Sequence, residues 1–348
     1  MPFSSSHHST PLVLLDGGVG EELLAHRGVP DDRMTWSAKA VSDPAYHETL
    51  RAVHVDFLAA GSTFTTVNNF GVTPGVFGTD HELIRKLTRL AGEIARKAVA
   101  TSPHGSSRVL ASLPPLVESY RPDLAMRDHA LAVKYYRSLV IEPLDDLVDG
   151  WIAETLSSSA EVVDAMDAVS EHVLRRDATP SLRGRRDLFV SMCVKGGGLV
   201  RSGETATEAV RRVVEHWVAT GHDTTRDASV RLVAVLFNCS TPKAISMALD
   251  ELAGDEQLLA LLDAHSVKLG AYPNRLTEIP DDWALASSTE PQETRKDFDE
   301  AAFVAWAVDV MERHPRVQYV GGCCGIRPSF IRALGARLAS DASHRTGS

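Results

Sequence analysis

Three of the four cysteines in this chain stand where a turn would follow an apolar strand. Cys239 comes after Arg231-Leu-Val-Ala-Val-Leu-Phe237 and Asn238, and the adjacent pair Cys323 and Cys324 comes after Val317-Gln-Tyr-Val320 and two glycines. Neighbouring cysteines close a disulfide badly, because a ring across one peptide bond strains the bridge geometry. Thiolates fixed on tight turns suit a soft divalent ion instead. Three of them leave a tetrahedral zinc one open position, which is the pattern of a catalytic site. Two other readings stay open. Cys193, at the end of an earlier strand, could close the site as a fourth, structural ligand, or the thiols could be inert buried residues; taken alone, Cys193 is most simply a small core residue.

The open position has a preferred use. A free thiol is only a few per cent ionised at neutral pH, since its pKa lies near ~8.5, whereas a metal-bound thiol loses its proton outright. Three cysteinates also give the site net negative charge, which keeps a bound sulfur electron-rich. A zinc hydrolase more often uses neutral histidines, so activation of a substrate thiol is favoured over activation of water.

Those cysteines need a scaffold that brings distant strand ends together. Apolar strand-like runs recur at Leu12–Leu15, Ser62–Val67, Arg108–Ala111, Leu147–Ala153, Asp187–Met192, Arg231–Phe237, Ser266–Gly270 and Val317–Val320, separated by helical patterns. Eight alternations over this length predict an α/β fold, a (β/α)8 TIM barrel in a single domain over residues 11–340, with an open doubly wound sheet as the alternative. The barrel is favoured because Asp16, Asn68, Glu154, Cys239, Asn274 and Cys323 all fall at the C-terminal ends of the runs, which converge on one mouth. Residues 1–10 and 341–348 are expected to be disordered tails.

At Asp16-Gly17-Gly18-Val19-Gly20 a strand meets a helix through glycines, but the third glycine of a dinucleotide fingerprint is missing, and Glu21 and Glu22 would repel a pyrophosphate. Glycines that serve a tight turn and nothing more are an equal reading of this stretch; were the ligand an amino acid, Asp16 could face its ammonium group and the backbone of Gly17 its carboxylate. Asn68, Asn69 and Asn274 are expected to tie loops together through side-chain to backbone bonds.

The totals exclude several classes. Across 348 residues, 36 Lys plus Arg stand against 46 Asp plus Glu for a net charge of −10, with no basic block, which argues against nucleic acid. No apolar run reaches the ~20 residues of a membrane span, and the Ser- and His-rich start lacks the apolar centre of a secretory signal. Four cysteines are too few for a disulfide scaffold and fit a reducing, cytoplasmic location. The expected assembly is a monomer or small homo-oligomer acting on small molecules.

The segments Asp16-Gly-Gly-Val-Gly20, Trp36-Ser-Ala-Lys39, Thr65-Thr-Val-Asn-Asn-Phe-Gly71, Glu154-Thr155, Ser202-Gly-Glu204, Asn238-Cys239, Tyr272-Pro-Asn274 and Gly321-Gly-Cys-Cys-Gly325 resemble, in order, the homocysteine S-methyltransferase family. The resemblance implies a (β/α)8 barrel holding zinc on Cys239, Cys323 and Cys324, and methylation of the zinc-bound thiolate of homocysteine to methionine. It further implies that Glu154, with Asp16, receives the substrate's ammonium group. Two departures lie at the mouth: Gly325-Ile-Arg327 stands where Gly-Thr-Thr is common, and Ser112-Leu-Pro-Pro115 replaces a glycine-rich sequence. The chain ends about one helix after the eighth strand, which favours a free sulfonium donor, S-methylmethionine or S-adenosylmethionine, over folate- or betaine-linked chemistry. Another thiol or a selenol such as selenocysteine is the competing acceptor, and a metal-binding scaffold barrel is the non-enzymatic alternative.

Overall fold

In this computed structural model residues 12–31, 35–102, 105–176, 186–221, 229–284 and 293–346 are described. Eight strands alternate with helices: β1 (Val13–Leu14), β2 (Phe64–Thr66), β3 (Arg108–Leu113), β4 (Gly150–Leu156), β5 (Arg186–Met192), β6 (Val230–Asn238), β7 (Lys268–Tyr272) and β8 (Val317–Val320). They pair in the order β1-β8-β7-β6-β5-β4-β3-β2, and every pair is parallel. This is the (β/α)8 barrel. Its strands are covered on both faces, which is why β6 is buried at every position but Arg231 and its sequence is continuously apolar rather than alternating.

The two faces make two cores. Inside the barrel, Leu15, Phe64, Leu110, Ile152, Phe189, Leu236 and Tyr272 pack together, with Phe189 edge-on to both Phe64 and Tyr319. Outside, a larger cluster fills the layer between strands and helices. Several helices start at side-chain caps that satisfy a free backbone N–H: Asp80 accepts from Leu83, Asp128 from Leu131, Thr241 from Ala244, and Thr205 forms a full capping box with Glu208.

Several boundaries differ from the sequence pattern, β7 for one running two residues later than Ser266–Gly270. β4 continues through Glu154 and Thr155 to Leu156, because an irregularity in its pairing with β5 after Ala153 lets the strand resume. A second helix, Glu256–Ala264, follows Pro242–Ala253, and Asp255 caps it after the break at Gly254. The helix before β8 spans Glu300–Arg313, with Asp299 accepting from the Ala302 N–H at its start. The last helix runs from Pro328 through Thr346, beyond the boundary expected at 340, because nothing in Ala339-Ser-Asp-Ala-Ser-His344 breaks a helix. The expected tail 1–10 lies outside the described residues.

At the opposite end from the mouth, Asp187 is buried between two cations: Arg108 Nη1 at 2.6 Å and Arg231 Nε at 2.6 Å. Burial favours its neutral form, but the hydrogen bonds of Arg231 and the charge of Arg108 outweigh this and hold the carboxyl below its usual 3.8. A depressed pKa contributes stability above the unfolded-state value and loses it as pH falls toward the folded one. Asp187→Ala is expected to lower unfolding stability at pH 7 by about 2 kcal/mol, since both arginines can turn to solvent. The difference from wild type should shrink in chemical denaturation below pH 4.

Candidate metal and substrate site

Cys239 follows β6 directly, and Cys323 and Cys324 sit on the turn that leaves β8. Their three sulfurs lie within 4.8 Å of one another and form the only such ligand cluster among the described residues. Cys239 Sγ is 3.8 Å from Cys324 Sγ, the ~3.8 Å spacing of two ligands on one tetrahedral zinc with bonds of about 2.3 Å. Cys323 Sγ lies against Cys239 Sγ within the same trio. All four cysteines are free thiols. The S–H groups of Cys323 and Cys324, with the Tyr120 hydroxyl at 2.9 Å, hold Cys239 well below the ordinary thiol range. The same bonds to Cys239, with burial, push Cys323 and Cys324 up. Three sulfurs converging on one point make a soft donor set of the kind that holds a four-coordinate divalent ion with one position open. The donor set therefore fits zinc. Cys193 packs in the same apolar cluster but its sulfur stands outside the trio, so the closed four-cysteine reading is set aside.

Asn238 organises the neighbouring strand ends. Its Oδ1 accepts from the Thr155 N–H at 3.0 Å and the Ser191 hydroxyl at 2.8 Å, and its Nδ2 donates to Thr155 Oγ1 at 2.8 Å. Thr155 and Cys239 both occupy the left-handed region, at φ 61° and 45°. That region is costly for residues with a Cβ, and Asn238 is bonded to one and covalently joined to the other. Glu154, immediately before Thr155, accepts from the Ser112 hydroxyl at 2.5 Å. Burial pushes its carboxyl up to about 8, the Ser112 bond works against this, and the nearby charges of Asp16 and Cys239 add to the rise. The Tyr272 hydroxyl is buried beside Glu154 and Ser191, and its interaction with Glu154 works against the rise of that carboxyl.

Asp16 accepts from the Thr66 N–H at 2.6 Å and its hydroxyl at 3.0 Å. Burial nonetheless raises its carboxyl to about 6. Its turn lies face to face with the cysteine turn: Gly18 N–H donates to Ile326 O at 3.0 Å, and Gly322 N–H donates to Asp16 O at 2.9 Å. A Cβ on Gly18 would stand 2.6 Å from Cys323 O, and one on Gly17 2.4 Å from Ile326 O. Glycine is required there for close approach. The predicted loop ties are present as well, with Asn68 Nδ2 on Ser37 O, Asn69 Nδ2 on Ser112 O, and Asn274 Oδ1 accepting from Leu276 N–H.

These groups line one cavity of about 330 Å³ at the C-terminal mouth, together with Trp36, Phe70, Tyr120 and Trp283. Asp16, Glu154 and all three cysteines of the trio are therefore brought together. Among the described residues its lining holds four carboxylates, Asp16, Glu21, Asp31 and Glu154, and no lysine, arginine or histidine. Sequence reasoning missed Ser112, Thr66 and Tyr120. Ser112 was visible only as a hydroxyl in an otherwise apolar strand, and Tyr120 only as an aromatic residue in the loop that the Pro114-Pro115 departure had singled out.

Fold and site define a barrel enzyme with a thiolate centre in an acidic cavity. The sequence model of the homocysteine S-methyltransferases matches residues 13–338, and the chain belongs to that family. A selenocysteine Se-methyltransferase of Brassica oleracea var. italica is 24% identical, over 94% of this chain and 89% of its own length. Homocysteine S-methyltransferase 2 of Arabidopsis thaliana is 25% identical, over 94% and 93%. The metallated form of the homocysteine methyltransferase MmuM from Escherichia coli shares the fold, with a TM-score of 0.66 and 22% identity over 94% of this chain and 97% of its own.

Asn238→Ala would leave a buried Thr155 N–H and a Ser191 hydroxyl without their acceptor. It is expected to destabilise the fold by about 2 to 4 kcal/mol, on the order of ~1 to 3 per orphaned group, as read by chemical denaturation.

Proposed function

We propose that this chain is a zinc-dependent methyltransferase that moves a methyl group from a small sulfonium donor to the thiol of L-homocysteine, giving methionine. The observation that carries this reading is the cavity itself, which brings three convergent sulfurs together with the buried carboxyl groups of Asp16 and Glu154. Such a lining suits a ligand with an ammonium group at one end and a thiol at the other, and a co-substrate that is itself a cation. Cys239, Cys323 and Cys324 would hold the zinc, which when bound supplies deprotonation of the substrate thiol at neutral pH.

The remaining work falls to the protein. Glu154 and Asp16 receive the ammonium group, Glu154 giving up its proton as the cation arrives, and the Gly17 backbone N–H meets the carboxylate, because that of Gly18 is already bonded to Ile326 O. The aromatic rings of Trp36, Phe70, Tyr120 and Trp283 offer π faces to the sulfonium, whose positive sulfur leaves as a neutral thioether once the methyl has moved. No base is needed at carbon. Holding the two sulfurs in line across the methyl supplies much of the rate. The Se-methyltransferase relative favours one second reading, a selenol such as selenocysteine as acceptor.

A matrix of homocysteine and selenocysteine against S-methylmethionine and S-adenosylmethionine decides between them. Methionine is expected from homocysteine with at least one donor, and its absence from every homocysteine arm sinks the first reading.

One zinc per chain is expected by metal analysis. Cys239→Ala, Cys323→Ala and Cys324→Ala should each lose it, while Cys193→Ala retains it.

Glu154→Gln should keep its zinc and bind homocysteine more weakly by an amount on the order of 2 to 4 kcal/mol. With the carboxyl near 8, wild-type binding at pH 7 must release the Glu154 proton, so affinity should rise with pH toward 8. Calorimetry in buffers of different ionisation enthalpy should find about one proton fewer released by Glu154→Gln; equal proton release would remove Glu154 from the ammonium site.

A further inference from the structure

The thiol trio is not symmetric. Among the described residues only one of its sulfurs, Cys239, takes a hydroxyl bond, from Tyr120 Oη at 2.9 Å. Tyr120 lies on the segment after β3, holds φ 65°, and is 7% exposed. Its place is set by Arg201, a guanidinium 5% exposed on the segment after β5. Arg201 Nε donates to Tyr120 O at 3.2 Å, Nη1 to Ile279 O at 2.8 Å and Nη2 to Pro280 O at 2.8 Å, while its Cζ lies 5.6 Å from the centre of the Tyr120 ring. The other side of that ring region meets Trp283 edge-on at 5.5 Å. One buried cation thus fastens the loops after β3, β5 and β7 together. A buried charge persists only when fully hydrogen-bonded, and here its bonds fix the phenol against a single sulfur.

This arrangement bears on a problem inherent in the proposed reaction. A sulfonium can methylate any electron-rich sulfur in reach, and Cys239, Cys323 and Cys324 all line the cavity that would admit it. A hydrogen bond to a thiolate draws charge from it and makes it a poorer nucleophile and a more firmly held ligand. We propose that Tyr120, positioned by Arg201, donates its hydroxyl to Cys239 in order to hold that sulfur as a metal ligand and keep it from competing with the substrate thiol for the methyl group. The guarded side reaction balances simply. The donor's S–CH3 bond breaks with its electron pair left on the donor, which departs as a neutral thioether, and a Cys239 lone pair forms the new S–CH3 bond. No proton moves. The inference rests on the metal reading above, and it makes Tyr120 a positioning residue rather than a catalytic one.

Tyr120→Phe tests it cleanly, because phenylalanine keeps the ring against Trp283 and Arg201 and removes only the O–H. Both proteins would be loaded with Co2+ and their sulfur-to-metal charge-transfer bands recorded, and zinc affinity measured by chelator competition. The variant should show a band at lower energy, as a more electron-rich thiolate gives, and zinc binding weaker by ~10- to 100-fold, the usual effect of losing an outer-shell partner. Zinc-loaded protein would then be incubated with excess S-methylmethionine or S-adenosylmethionine without homocysteine and analysed by peptide mass spectrometry. Methyl on Cys239 in the variant, and none in wild type, is expected. An unmoved band with unchanged zinc affinity overturns the role of Tyr120, and a moved band with no gain in Cys239 methylation overturns the guarding function. Wild-type protein that takes up neither cobalt nor zinc overturns the metal reading itself, and this inference with it.

Discussion

The barrel depends on how its one unladdered seam is closed. β1 and β2 share no ladder; the gap is bridged by the Thr63 N–H on Leu14 O at 2.8 Å and, one step further up, by the Asp16 carboxylate on Thr66. A side chain thereby takes over the place of a backbone rung. The consequence is that a charged group stands inside the mouth, raised to about 6 by burial, instead of being turned out to solvent. The same turn is pinned to the cysteine turn by two backbone bonds that only glycines permit at that distance. Closure of the fold and juxtaposition of carboxylate with sulfur are therefore one structural event.

Burial of Asp16 and Glu154 in one cavity disfavours their charged forms, a cost that a cationic ligand would relieve. Glu154 is pushed to about 8 by burial first and by its acidic neighbours second, so the site without ligand keeps protons that an ordinary carboxylate would have lost. Under the proposed function an arriving ammonium, sulfonium or divalent metal would exchange for those protons. Sulfur would then hold the metal and the carboxylates would face the ammonium, with aromatic rings in the same lining.

Backbone strain is concentrated in the same place. Five non-glycine residues among those described have positive φ, and four of them, Trp36, Tyr120, Thr155 and Cys239, line the cavity. Each costs on the order of 1 to 3 kcal/mol and persists only where its surroundings over-determine it. Here Asn238 and Arg201 do so, with multiple buried hydrogen bonds each. The strain lets strand ends that would otherwise diverge turn their side chains into a common space.

The residue order alone determined a good deal. Eight apolar runs ending in polar residues favoured a barrel over an open sheet, and cysteines at two such ends, beside glycines, favoured a sulfur cluster at its mouth, because strand periodicity and turn chemistry are local properties. The places of Glu154 and Asp16 at strand ends were legible for the same reason, while their roles came only from the family resemblance. What only the tertiary structure decided is which distant groups meet. The pairing irregularity that carries β4 past Glu154 depends on the neighbouring strand, and the exclusion of Cys193 from the trio depends on where its strand end points. Ser112 on Glu154, Thr66 on Asp16 and Tyr120 on Cys239 are contacts between residues 42, 50 and 119 positions apart, which no local pattern encodes. The acidity of Glu154 belongs to this second group as well, because desolvation is set by everything packed around a carboxyl and not by its neighbours in sequence.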